Sequence, residues 1–222
     1  MKRSLRSVVL LASLLMPFAV SAASLTPQYN AATHTLQRPS RRTLRNSVQE
    51  GLSRLSRLPS INEVPLDRTY VSSDYHVKIQ YPSSWEREDP MQSTPPLTLV
   101  VMFLSRNDRS AAVRQNINLV VEDLPTEMTL AEYTKLGIEM EQKFFGQFVL
   151  RQSSDIVLAG GAYRAHRIIF SASLNGGDVM TFEQIWMLKG RTAHVWTFAD
   201  KAEVFEDHVR TFERMMDTLT VQ

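Results

Sequence analysis

Apolar and polar positions alternate strictly from Tyr75 to Tyr81, with Tyr75, Val77, Ile79 and Tyr81 on one face and His76, Lys78 and Gln80 on the other. That period of two predicts a half-buried strand, and Pro82 stops it. A short strand is predicted just before it at 69–72, and Trp85 is placed in the acidic, proline-rich loop that follows. The run LTLVVMFL at 97–104 is continuously apolar and predicts a strand covered on both faces. Another strand is expected from Asn116 to Glu122.

The period then changes to that of a helix. Thr129 and Glu132 have the spacing of a capping box, and Tyr133, Leu136, Met140 and Phe144 recur as one face, with Gly146 at its end. Four strands are predicted next, at 148–158, 163–174, 179–188 and 192–198, separated by glycine-bearing turns. Connections this short require antiparallel neighbours. A last helix is predicted with Asp200 as its N-cap and Phe205, Val209, Phe212, Met216 and Leu219 as its apolar stripe. This order predicts an α+β domain over 61–222: an antiparallel β-sheet covered by helices.

The first 60 residues read differently. Lys2, Arg3 and Arg6, the apolar run from Val8 to Val20 and the small residues of Val20-Ser21-Ala22 have the three parts of a secretory signal peptide over 1–22. The apolar run is shorter than the roughly 20 residues that span a bilayer. Export, to a periplasmic or secreted location, is therefore expected. Residues 23–60 are predicted to be a disordered, Arg-rich linker. Leu44, Val48, Leu52 and Leu55 could also form the stripe of a short helix there.

Charge follows the same division. Arg38, Arg41, Arg42, Arg45, Arg54 and Arg57 face only Glu50 within 23–60, a balance of +5, whereas 61–222 carries −6. The whole-chain value of +2 averages these segments. A nucleic-acid-binding domain carries its positive charge on the folded face, so nucleic acid is not an expected partner. The arm suits an anionic membrane surface instead.

Candidate chemistry is sparse. The absence of cysteine excludes disulfides, thiolate metal sites, cysteine nucleophiles and acylated lipoprotein anchors. The five histidines, His34, His76, His166, His194 and His208, lack the spacing of a helical metal site. No nucleophile elbow, phosphate cradle or dedicated calcium loop is present. No catalytic residue, metal or cofactor is assigned. His166 and His194 could still meet across the four-strand run as a two-histidine site or the base of an unrecognised hydrolase. The aromatic residues Tyr81, Trp85, Trp186, Trp196 and Phe198 could line a ligand pocket or an interface.

Several segments in order resemble the PsbP-like family, a fold also seen in exported DcrB-type bacterial proteins. The carriers are YHVKIQYPSSW from Tyr75 to Trp85, NINLVV from Asn116 followed by TLAEY from Thr129, LAGGAY from Leu158, and the closing helix at 205–219. The resemblance spans roughly 68–220 and implies an α/β/α sandwich. It also implies a non-enzymatic accessory protein that docks on a membrane-associated complex or acts in the cell envelope. A photosystem-II-type extrinsic role would imply manganese and calcium retention, but no ligand residues here match one. Three functional readings follow: an exported interaction module meeting an envelope protein or anionic membrane, a lipid or metabolite carrier, and a photosystem-type accessory protein.

Overall fold

In a computed structural model, residues 64–89, 93–94, 96–106, 114–173 and 178–221 are described. The signal segment 1–22 and the arm 23–60 lie outside the described residues. The elements are β1 (Arg68–Ser72), β2 (Val77–Tyr81), β3 (Trp85–Glu88), β4 (Ser93–Thr94), β5 (Leu97–Ser105), β6 (Asn116–Asp123), α1 (Leu130–Phe144), β7 (Gly146–Leu158), β8 (Tyr163–Ser173), β9 (Val179–Lys189), β10 (Thr192–Lys201), α2 (Phe205–Asp217) and β11 (Thr220–Val221). A short 3-10 turn at Ala159–Gly161 joins β7 to β8.

All strand pairs are antiparallel. An eight-stranded sheet runs β3-β5-β6-β10-β9-β8-β7, with β4 beside β5, and a three-stranded sheet runs β1-β2-β11. The chain thus leaves β6 near the middle, crosses by α1 to the far edge, and returns strand by strand until β10 pairs with β6.

Two apolar clusters occupy the two faces of the large sheet. On one face Phe103, Ile117, Leu119, Trp196 and Phe198 meet Val77, Ile79 and Tyr81 of the small sheet and Phe205, Phe212 and Met216 of α2. On the other face Leu97, Val120, Val195, Phe182 and Trp186 meet Tyr133 of α1 and Phe145 just after it. The antiparallel α+β class is as the patterning predicts. The C-terminus is clasped by Tyr163, whose hydroxyl donates to the Val221 carbonyl and accepts from its N–H, both at 2.9 Å.

Four local expectations change. Trp85 begins an edge strand rather than lying in a loop, and it pairs with Ser105. β2 starts at Val77, because His76 adopts φ 54° and breaks the alternation before it. The last helix is capped at Val204, not Asp200; Asp200 stays in β10, where Gln115 and His208 donate to its carboxylate at 3.1 and 2.7 Å. The buried side of α1 is also turned from the predicted stripe. Tyr133, Thr134 and Glu141 are buried, while Phe144 is 46% exposed.

That rotation has a cause in Gly137. A Cβ there would lie 2.6 Å from Cη2 of Trp186, so the missing side chain lets this side of α1 rest on the indole. The capping box forms as predicted: Glu132 N–H donates to Thr129 Oγ1 at 3.2 Å, and Thr129 N–H donates to Glu132 Oε2 at 2.8 Å. Thr129→Ala is expected to cost about 1 kcal/mol of unfolding free energy, read from a denaturant midpoint, since it orphans a donor at the helix start.

Candidate functional site

The predicted aromatic group does not form one site. Tyr81, Trp85, Trp196 and Phe198 belong to the cluster under α2 and the small sheet, and Trp186 to the opposite cluster under α1. All five are buried. Side chains alternate across a strand, and Trp186 and Trp196 fall on opposite sides of the sheet because Trp186 pairs with Val195. The same parity separates the histidines. His166 pairs with Trp186 and faces α1, whereas His194 pairs with Val121 and faces the other layer. A site using both is therefore not built. His194 is buried, which lowers its pKa and favours the neutral ring.

Beneath α1 lies a polar seam that the apolar patterning did not predict. The Tyr133 hydroxyl donates to Glu122 Oε2 at 2.9 Å. Trp186 Nε1 donates to Gln184 Oε1 at 3.0 Å, and Gln184 Nε2 donates to Glu141 Oε1 at 3.1 Å. Burial pushes the Glu141 carboxyl up to about 7, against the Gln184 hydrogen bond that favours its anion. Burial likewise raises Glu122, opposed by the Tyr133 hydrogen bond. The seam locks helix to sheet through acids held toward their neutral form.

A second polar group joins α2 to the opposite face. Arg167 Nε lies 2.9 Å from Glu183 Oε1, and its Nη2 lies 3.2 Å from Glu213 Oε1. The Nε contact is close but not aligned as a hydrogen bond. Burial raises Glu183 to about 7, with the Arg167 charge acting against it. Among the described residues, no group of three or more histidine and carboxylate side chains is placed to hold a metal ion.

The features that reach solvent gather at the β7 edge. β7 is 13 residues long and, among the described residues, pairs only with β8. Large apolar residues exposed on or beside it are Val149, Leu150, Val157, Phe144 and Val179. Val179 belongs because it pairs with Ser173, which in turn pairs with Gly146 at the start of β7. A row of unpaired backbone groups flanked by exposed apolar side chains is a template for another strand.

The middle of this edge holds a hydrogen-bonded chain: Ser153 Oγ to His166 Nε2 at 2.8 Å, and His166 Nδ1 to Asp155 Oδ1 at 2.6 Å. The order of groups is that of a nucleophile–base relay. However, the Asp155 side chain is 88% exposed, and a carboxylate in water orients a histidine only weakly. The chain of contacts fixes Asp155 on the edge. Sequence reading missed this surface, although the run Arg151-Gln-Ser-Ser-Asp155 is polar on both faces, which marks an edge strand.

No protein-family model matches the chain, and no curated protein matches it in sequence. Solved structures do resemble it. The solution structure of cyanobacterial PsbP (CyanoP) from Synechocystis sp. PCC 6803 superposes with a TM-score of 0.54 at 13% identity, over 70% of this chain and 92% of that one. LpqN of Mycobacterium tuberculosis, described as involved in cell envelope biogenesis, gives a TM-score of 0.49 at 13% identity, over 69% of this chain and 88% of that one.

Proposed function

We propose, from the premise that this chain has the PsbP-type fold, that it is a non-enzymatic accessory module of the cell envelope. In this reading it is exported by residues 1–22, meets anionic surfaces through its arginine arm, and docks a protein partner on the β7 edge. The observation that carries the reading is that edge: 13 residues paired, among the described residues, on one side only, with exposed Val149, Leu150 and Val157. The buried polar groups serve architecture, since the seam and the Arg167 group tie helices to the sheet. The aromatic side chains serve packing, being spent in two separate cores.

The arm makes its own prediction. Each arginine near an anionic surface contributes about 1 kcal/mol, acting within a Debye length of about 8 Å at physiological salt. The full chain is expected to float with phosphatidylglycerol vesicles at low salt and to detach at high salt. A variant with Arg38, Arg41, Arg42, Arg45, Arg54 and Arg57 all changed to glutamine should bind at least about tenfold more weakly. Equal flotation of the two would remove the arm from the proposal.

A further inference from the structure

We infer that the occupant of the β7 edge is a second copy of this chain, its own β7 pairing antiparallel about a two-fold axis through Ser153. The inference rests on the reading of β7 as a docking strand and names its partner.

The argument is one of register. The β7–β8 ladder slips between Gly146 and Val149 and again between Leu150 and Gln152, so Arg151 is an extra residue with no opposite number in β8. Bulges and charges on an edge are the usual guard against indiscriminate strand pairing. Here the guard is self-complementary. With the axis at Ser153, Arg151 of each copy stands opposite Asp155 of the other. The two-fold gives this match twice.

Neighbouring registers lose this match. An axis at Gln152 sets Arg151 against Ser153, and an axis at Ser154 sets Arg151 against Val157. Neither register gives Arg151 an opposite charge, so both forgo the cross-strand ion pair and are disfavoured. The guard therefore rejects foreign strands and accepts its own copy. His166 holds Asp155 at 2.6 Å, which keeps the carboxylate on the strand where Arg151 of the second copy arrives.

Side chains beyond the ladder extend the contact. Phe144, at the end of α1, is exposed next to this edge. A stable interface needs on the order of 800 Å² from each partner, which a strand edge reaches only with such flanks.

A photoreactive amino acid at Val149, in the full chain and in the producing cell, tests both levels. The expected product has twice the mass of the chain and joins position 149 to the segment around Val157. A product with a different protein would overturn the second copy while leaving β7 a docking strand. No protein product would overturn both.

The register has a separate test, because the chain contains no cysteine. Directly opposed residues in an antiparallel pair have Cα atoms about 4.5–5.5 Å apart, within disulfide reach. Ser153→Cys should thus give a disulfide-linked dimer under mild oxidation, and Ser73→Cys, in the exposed turn after β1, should not. In the Ser153→Cys background, Arg151→Asp or Asp155→Arg should each reduce linkage at least tenfold, and the double exchange should restore it. A failure to link, or single exchanges without effect, would overturn this register, as would a double exchange that stays unlinked.

Discussion

Replacing Gly137 with valine is expected to lower the unfolding free energy by about 3 kcal/mol, at the upper end of what overpacking a helix contact costs. At an ordinary helical position the change from glycine would be favourable, since glycine costs about 1 kcal/mol against alanine. Here the new Cβ would meet Cη2 and Cζ3 of Trp186 at 2.6 and 2.7 Å. The indole cannot retreat. It is 1% exposed, its Nε1 is tied to Gln184 at 3.0 Å, and the Tyr133 ring stands edge-on to it at 5.8 Å. Relief must come from α1 lifting, which opens the contact beneath the helix. Gly137→Ala, with one methyl rather than three added carbons, should lose about 1 kcal/mol after the helix gain is counted. Urea midpoints decide the matter. An alanine variant more stable than the parent would mean that α1 does not rest on Trp186.

The second large effect is on pH dependence. In the unfolded chain the Glu141 carboxyl releases its proton near 4.5, and in the fold, buried beneath α1, it holds the proton to about 7. Between those values the folded state binds more protons than the unfolded one, so unfolding free energy falls as pH rises. Stability from the neutral acid is fully present below about 4.5 and is lost as pH passes about 7. The difference corresponds to about 3 kcal/mol. Glu122 and Glu183, also raised by burial, act in the same direction. Glu141→Gln should flatten the profile and exceed the parent in stability at about pH 8. Chemical denaturation at about pH 5 and about pH 8 measures this. A parent chain more stable at the higher pH would falsify the buried-acid account.

Most of the fold could be read from periodicity, because a single dominant effect places most elements. The strict alternation in β2, the doubly apolar β5 and the stripe of α2 each report which faces lose water, and burial then follows. The readings failed where a different interaction outweighed it. The side of α1 that packs is set by a glycine and a buried acid, so its apolar count pointed the wrong way. Asp200 looked like a cap from its place in the sequence, yet its carboxylate is taken by Gln115 and His208 from elsewhere in the fold. Trp186 and Trp196 seemed to share a site because both are aromatic, whereas register puts a sheet between them. The candidate surface was hardest to see. Which strand ends a sheet depends on the crossover of α1, a long-range fact, and only the polar run around Ser153 hinted at it.

The strand order also sets a timetable. β10 fills the gap between β6 and β9, and its register joins Ala199 to Asn116. While a nascent chain still lacks β10, the strands β5 and β6 have no neighbour on the β10 side. Leu99, Val101, Phe103, Ile117 and Leu119 then lie uncovered, however long ago they were synthesised. Closing a sheet across so long a loop is slow. A polypeptide bound for a narrow translocation pore gains from that delay, since it arrives still threadable. The same delay leaves an apolar stretch in need of a holding chaperone until passage is complete. Moving β10 earlier by circular permutation should shorten that wait and, for the export proposed here, slow secretion.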